Sequence, residues 1–222
     1  MSNAERVESS YIEFEVQKAD FKKVLSAHKR FAVSGKNVEN YVLAWIKFSV
    51  SNEELTLITT DGSRALISKL SVMQPTGTDG EFLLSMASVS KLSFMKGEFD
   101  MMLVHCEKGK VEFIDPEFKT TQTFITKKED GSKYPSIEKV IPKKTDAVSG
   151  KTFVVTGTME SMTRDEIKKL IKDIAALKAP KGYVELSFNS KDVMQAILVE
   201  TASDEVSQTA ILMPIRKEPI EG

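Results

Sequence analysis

The chain has 222 residues, and its 41% hydrophobic and 28% charged side chains are typical of a folded globular protein rather than a disordered one. A net charge of −1 argues against a surface coated in positive charge for tight, non-specific DNA binding, although a local basic face is still allowed. The single cysteine, Cys106, cannot form an intrachain disulfide, so we expect a cytoplasmic protein. One cysteine and two histidines are few ligands for a zinc site, so no metal site is expected. No apolar run approaches the ~18 residues of a membrane span.

Short strands and one-sided helices alternate over residues 11–130. Apolar–polar alternation predicts the strands, and apolar residues three and four apart predict the helices, with Asp20 and Ser85 as caps. The predicted order is a strand at 11–16, a helix at 20–33, strands at 41–50, 54–60 and 64–72, a break at 75–80, a strand at 81–84, a helix at 85–96, and strands at 99–106, 110–114 and 120–127. His28 and Cys106 fall on apolar sides of these elements, so we expect both to be packed and chemically inert.

The same order begins a third time after a connector at residues 131–148, which contains two prolines and Gly131. The pattern there predicts a strand at 152–156, a helix at 163–178 with a capping box of Thr163 and Glu166, and strands at 183–188, 193–200 and 208–215. Three strand–helix–three-strand units predict an α+β fold, because a helix with one apolar side can cover one face of a small antiparallel sheet.

Three segments carry a resemblance to a known family. They are LTLITTDGSR at 55–64, where Asp-Gly signals a tight turn, YPSIEKVIP at 134–142, and ILMPIR at 211–216. In this order they resemble the bacterial DNA polymerase III beta subunit, the DNA sliding clamp. The resemblance implies a processivity fold in which two units form one domain. Residues 11–130 would then be a complete clamp-like domain, 149–217 a second, half-size one, and 218–222 a polar tail.

The resemblance also implies a function. It predicts a DNA polymerase processivity factor that encircles or tracks duplex DNA, without catalysis or a cofactor, and that binds polymerase and clamp loader through short peptide motifs. The half-size domain implies that several chains assemble into a homo-oligomeric ring. The implied peptide pocket consists of Leu43, Thr60, Gly62, Arg64, Pro135, Lys139, Val140, Ile211, Met213, Pro214, Ile215 and Arg216.

Every predicted helix is basic although the whole chain is slightly acidic. In the resembled family such cations face the phosphates of the duplex, a contact that is independent of base sequence and permits sliding. The DNA-facing residues implied are Lys22, Lys23, Lys29, Arg30, Lys91, Lys96, Arg164, Lys168 and Lys172. An ordinary solvated helix face is the alternative interpretation for any one of these lysines.

Two other functions remain open at this point. Residues 150–171 also resemble the start of the BRCT module of NAD-dependent DNA ligases, which would make the chain a repair or ligase-associated interaction module. Sheet direction distinguishes the two, because a BRCT sheet is parallel and a clamp sheet is antiparallel. An enzyme on an α+β scaffold is the other alternative, but residues 149–151 lack the spacing of a nucleotide-binding loop and no cluster of titratable residues is evident.

Overall fold

The computed structural model describes residues 11–33, 42–95, 100–127, 133–137, 172, 185–187, 197–202 and 206–212. Its elements, in chain order, are β1 (Tyr11–Gln17), α1 (Lys18–His28), a 3₁₀ helix (Val42–Ala44), β2 (Trp45–Ser51), β3 (Glu54–Thr60), β4 (Arg64–Ser71), β5 (Met73–Gly77), β6 (Gly80–Ser85), α2 (Met86–Lys91), β7 (Met101–Glu107), β8 (Lys110–Asp115), β9 (Thr120–Ile125), β10 (Glu185–Ser187), β11 (Ile197–Ala202) and β12 (Val206–Leu212). No helix in these parts of the chain is long and apolar enough to span a membrane.

Two antiparallel sheets contain the described strands, and the first two strand–helix units exchange their opening strands. The five-stranded sheet has the order β5-β1-β7-β8-β9, so β1 of the first unit lies beside the three strands of the second. In the other sheet β6 of the second unit lies beside β2, β3 and β4 of the first. This exchange interlocks the first two units, and the antiparallel sheets confirm the predicted α+β class.

The third unit extends the second sheet to seven strands, in the order β10-β11-β12-β4-β3-β2-β6. Strand β12 pairs with β4 from Val206 opposite Leu70 to Leu212 opposite Arg64. Pairs β10–β11 and β11–β12 are also antiparallel, which is the direction expected of a clamp unit and not of a BRCT module. The strand predicted at 152–156, the capping box, and the helix at 163–178 apart from Lys172 lie outside the described residues.

One hydrophobic core joins residues of both sheets with α1 and α2. Burial alternates strictly along β1, β2 and β7, because successive strand residues point to opposite faces of the sheet. Aromatic rings fill the centre: Phe21 of α1 lies 6.4 Å from Phe48 and 6.1 Å from Phe113, measured between ring centroids. These contacts hold α1 by its apolar side and leave its other side to solvent.

Several predicted boundaries were wrong for identifiable reasons. Helix α1 begins at Lys18 and not at Asp20, because the buried Lys18 amine pairs with Asp115 and its backbone N–H donates to Asp100. The helix also ends at His28, earlier than the predicted residue 33. Ser85 does cap α2, accepting from the Ser88 N–H, but α2 ends at Lys91 because Leu92 is extended.

Two segments have a different conformation from the one predicted. Residues 42–44 form a 3₁₀ helix where a strand was expected, and strand β2 begins only at Trp45. The predicted break at 75–80 contains strand β5, which pairs with β1 even though it carries Pro75. Proline is tolerated there because β5 is an edge strand, where one side of the backbone needs no partner.

Candidate functional site

The turn of the β3–β4 hairpin is closed by side chains that its sequence supplies. Thr60 Oγ1 donates to the Arg64 carbonyl at 2.7 Å and accepts from the Gly62 N–H at 3.0 Å. Asp61 Oδ1 accepts from the N–H groups of Ser63 and Arg64, at 3.0 and 2.8 Å. Gly62 has a φ of 91°, which only glycine adopts without strain. Short polar side chains and glycine therefore fix the turn, as the sequence predicts.

The resemblance predicts that Arg64 contacts a bound peptide. In the structure its side chain bonds to other groups of the same chain. Its Nε and Nη2 donate to Asp61 Oδ2 at 2.9 and 2.7 Å, and Nη2 also donates to the Arg30 carbonyl at 2.9 Å. Its guanidinium lies 5.3 Å from the centre of the Phe31 ring. Burial alone would raise the pKa of Asp61, but the hydrogen bonds and charge of Arg64, with the Ser63 hydroxyl, outweigh it and hold that pKa below its usual value.

The C-terminal strand lies directly beside this hairpin. Ile211 is opposite Ala65 in the β12–β4 register, and it packs with Ile58, Ile137 and Leu198 in a small hydrophobic cluster. Ile211 is only 1% exposed, so it belongs to the buried layer and not to the accessible surface. Thr60 is likewise buried, whereas Leu43, Gly62 and Arg64 are partly or fully exposed.

The connector completes the same surface. The Tyr134 hydroxyl lies 3.0 Å from the Ile58 carbonyl and 3.2 Å from the Trp45 carbonyl, so it bonds to the backbone of β3 and β2. Burial raises the pKa of this phenol. Ile137 is buried in the cluster with Ile58, and Pro135 between the two anchors is exposed. The resemblance did not single out Tyr134 and Ile137, although both belong to the motif at 134–142.

The described residues thus bring together segments that are far apart in the sequence. Leu43 lies near the turn, since a Cβ built on Gly62 would stand 3.8 Å from its Cδ1. The described members of the predicted pocket are Leu43, Thr60, Gly62, Arg64, Pro135 and Ile211. The remaining members, which lie outside the described residues, are Lys139, Val140, Met213, Pro214, Ile215 and Arg216.

Apart from the buried Lys18, the cations of α1 and of the two residues that follow it lie on the solvent side. Lys22, Lys23, Lys29 and Arg30 are exposed, and the opposite side of the helix is buried in the core. Lys23 pairs with Asp20 at 2.9 Å, and the Arg30 guanidinium donates to the Lys172 carbonyl at 3.0 Å. Two further predicted DNA-facing residues, Lys91 and Lys172, are also exposed. Lys96, Arg164 and Lys168 lie outside the described residues.

A buried polar network connects α1 to the seven-stranded sheet. His28 Nδ1 lies 2.8 Å from Thr59 Oγ1 and its Nε2 lies 2.9 Å from Ser68 Oγ, to which Gln208 of β12 donates at 3.1 Å. Burial lowers the pKa of His28 to about 3, so the imidazole is neutral at physiological pH. The prediction of a packed histidine is confirmed, and its partners show that it bridges α1, β3 and β4.

Other titratable groups have structural environments. Cys106 is buried, and burial raises the pKa of its thiol to about 11, which confirms an unreactive core cysteine. Lys18 and Asp115 form a buried ion pair at 2.7 Å, which the sequence analysis missed because it expected lysines to point outward. Within the part of the chain that the structure describes, no group of three or more His, Cys, Asp or Glu is arranged to hold a metal.

Comparison with known proteins finds similarity at the level of structure. No family model and no curated protein matches the sequence. Solved structures do match: the DNA polymerase sliding clamp of Bacillus subtilis (TM-score 0.68, 14% identity, 96% of this chain and 66% of that one) and the DNA polymerase III beta subunit of Thermotoga maritima (TM-score 0.68, 16% identity, 98% and 70%). The sliding clamp of Pseudomonas aeruginosa matches with a TM-score of 0.69 at 14% identity, over 98% of this chain and 70% of that one.

These matches agree with the architecture described above. The chain spans about two thirds of the length of each solved clamp, and almost all of it takes part in the match. The resemblance expected from the three sequence motifs is confirmed: the chain has the fold of the bacterial DNA polymerase III beta subunit, the sliding clamp.

Proposed function

We propose that this protein is a sliding-clamp-like processivity factor, which encircles or tracks duplex DNA and tethers a DNA polymerase through a short peptide. The single observation that carries the proposal is the register of β12 on β4. It sets Leu212, the last residue of β12, opposite Arg64, the first residue of β4, which follows the turn of the β3–β4 hairpin. No catalytic step is proposed, and in this role the protein acts by binding alone.

The chemistry of this surface suits a peptide guest. Leu43 offers a partly exposed apolar side chain beside Gly62, and Pro135 is a second exposed apolar group, next to Tyr134, whose hydroxyl bonds to the Ile58 carbonyl. The cluster that includes Ile58 and Ile211 is buried. Apolar anchors surrounded by polar groups favour a modest, exchangeable interaction, which is what a tether for several replication proteins requires. Met213 would add an adaptable apolar wall.

The basic side of α1 suits a phosphate backbone. Its exposed lysines can neutralise phosphates without contacting base edges, so binding would be independent of sequence and weakened by salt. Lys22 and Lys29 are the clearest candidates, because Lys23 is paired with Asp20 and Arg30 donates to Lys172. Assembly of several chains would be needed to surround a duplex, and a separate loader would place that assembly on DNA.

Binding of a fluorescent clamp-binding peptide, of the Gln-Leu-x-Leu-Phe kind, tests the pocket. We expect saturable binding that Leu43→Ala weakens about fivefold or more, the loss typical of an interface anchor. Leu103→Ala is the matched control, because Leu103 is also a partly exposed leucine but lies in β7 of the other sheet. The same peptide-binding measurement applies to Met213→Ala, for which Met95→Ala is the control. Failure of the wild type to bind, or equal losses in both leucine variants, would remove the pocket from the proposal.

Duplex binding at low salt tests the basic face. We expect Lys22→Glu with Lys29→Glu to weaken binding for every DNA sequence and to reduce the salt slope by about one for each lysine. Lys108→Glu with Lys110→Glu is the control, since these exposed lysines flank the β7–β8 turn and not the helix. An unchanged salt slope in the helix variant would show that α1 has an ordinary solvated surface.

A further inference from the structure

Arg30, in the turn that follows α1, has its backbone held on both sides. Its N–H donates to the Ala27 carbonyl at 3.0 Å, and its own carbonyl accepts from Arg64 Nη2 at 2.9 Å. The next residue, Phe31, is fully buried, and its ring lies 5.3 Å from the Arg64 guanidinium. The exposed side chain of Arg30 therefore extends from a backbone position that the helix and the β3–β4 hairpin fix.

The Arg30 side chain reaches the third unit. Its Nη1 donates to the carbonyl of Lys172, 142 residues further along the chain, at 3.0 Å. The donor is charged, and charge-assisted hydrogen bonds are roughly twice as strong as neutral ones. Neighbouring cations make no such contact: Lys23 pairs with Asp20 of the same helix, and the Lys29 amine bonds to no described residue. Among the described residues, Arg30 is thus the cation at this helix end that joins the first unit to the third.

The same end of α1 also contacts the third unit on its buried side. His28 Nε2 lies 2.9 Å from Ser68 Oγ, and Gln208 of β12 donates to that same oxygen at 3.1 Å. The backbone ladder between β12 and β4 sets the direction and register of β12, but it does not reach α1. The side chains of His28 and Arg30 supply that connection, one through the core and the other at the surface.

We propose that Arg30 is a positioning residue for duplex binding, which holds the third unit at Lys172 so that the cations of both units meet one duplex. This inference rests on the proposed function, and it gives Arg30 a role other than the direct phosphate contact predicted from the resemblance. Contacts to phosphates add up only if the cations keep fixed spacings along the backbone of the DNA. Arginine suits the task because its planar guanidinium loses little freedom for each hydrogen bond that it forms.

A double-mutant cycle in duplex binding at low salt separates positioning from direct contact. Arg30→Met and Lys172→Met each remove one charge and keep an apolar stem. If Arg30 positions Lys172, the double variant should bind about twofold or more tighter than the product of the two single losses, because Arg30→Met already costs the Lys172 contact. Lys29→Met with Lys172→Met is the control cycle, whose losses should multiply. Losses that multiply in the Arg30 cycle, or equal deviations in both cycles, would overturn the proposal.

Hydrogen exchange of the full chain without DNA tests the contact itself. We expect Arg30→Met to speed amide exchange in peptides that contain residue 172 and to leave β7, β8 and β9 unchanged, whereas Lys29→Met should alter neither. Unchanged exchange around residue 172, or faster exchange in every strand, would contradict a positioning role. A wild type that binds no duplex would refute the proposed function and with it the role of Arg30 in DNA binding, while the exchange result would still decide whether Arg30 holds Lys172.

Discussion

The carboxylate of Asp61 accepts two hydrogen bonds from the Arg64 guanidinium, at 2.9 Å from Nε and 2.7 Å from Nη2. Asp61→Asn removes the charge of the acceptor and keeps the amide oxygen that can still accept from the Ser63 and Arg64 N–H groups. We expect the free energy of unfolding at pH 7 to fall by about 1–3 kcal/mol, the usual value of a hydrogen bond to a charged group. Urea denaturation measures this loss, with the exposed Glu53→Gln as control.

The loss of unfolding free energy caused by Asp61→Asn should also depend on pH. Because the folded-state pKa of Asp61 lies below its ordinary value of 3.8, its contribution is complete above that value and disappears as the pH falls through the folded-state pKa. The difference between wild type and Asp61→Asn should therefore be constant near neutrality and shrink below about pH 4. A difference that stays constant into acid would mean that the ion pair adds nothing to stability.

A second prediction concerns the buried ion pair of Lys18 and Asp115. Lys18→Met leaves the Asp115 carboxylate buried without its cation, and we expect a loss of about 3–5 kcal/mol in unfolding free energy. The double variant Lys18→Met with Asp115→Asn should recover part of that loss, since the amide is neutral and its Oδ1 can still accept from the Glu117 and Phe118 N–H groups. A double variant that is less stable than Lys18→Met alone would contradict this account.

His28 should make the free energy of unfolding depend on pH in a different range from Asp61. Its pKa is about 3 in the folded protein against an ordinary 6.5, so the unfolded chain binds a proton first as the pH falls. The contribution of neutral His28 to the free energy of unfolding is fully present above pH 6.5. Below pH 6.5 it should decline by up to about 1.4 kcal/mol for each pH unit. His28→Gln should lower stability at pH 7.5 and flatten the decline, whereas His105→Gln should leave the decline in place. Equilibrium denaturation at several pH values decides between these results.

Two glycines with positive φ should differ in their tolerance of alanine. A Cβ at Gly77 would stand 2.1 Å from the Tyr11 carbonyl oxygen, so Gly77→Ala must push β5 away from β1. We expect a loss of at least about 2 kcal/mol there, and about 1–2 kcal/mol for Gly62→Ala, which meets only conformational strain. Thermal unfolding of the two variants measures the difference, and equal losses would show that β5 yields without cost.

Local patterns in the sequence predicted local structure well. Strand β3 and the turn at Asp61 and Gly62 appear where alternation and turn chemistry put them, and Ser85 caps α2 as expected. The placement of Leu43 and Ile211 near that turn followed from the family resemblance and not from periodicity. What the patterns could not specify is which strand pairs with which, since alternation in β1 is satisfied equally by either sheet.

The errors arose where a distant partner overrides local preference. Lysine is a common residue on helix surfaces, but Lys18 is buried where it pairs with Asp115, far along the chain. Arg64 is also bound within the chain, by the nearby Asp61 and by the distant Arg30 carbonyl, and its predicted place in a peptide pocket stays a prediction. Residue type alone does not reveal such pairs, because the same charged side chain is equally suited to solvent.

The late position of β12 in the chain has a consequence for biosynthesis. Strand β4 emerges from the ribosome long before its neighbour β12, so during translation the backbone edge of β4 is exposed without its partner strand. Nascent chains on one messenger would be at their most aggregation-prone in that interval, and a chaperone that shields strand edges would raise the yield. A pause in translation between the two strands would lengthen the exposure and lower the yield.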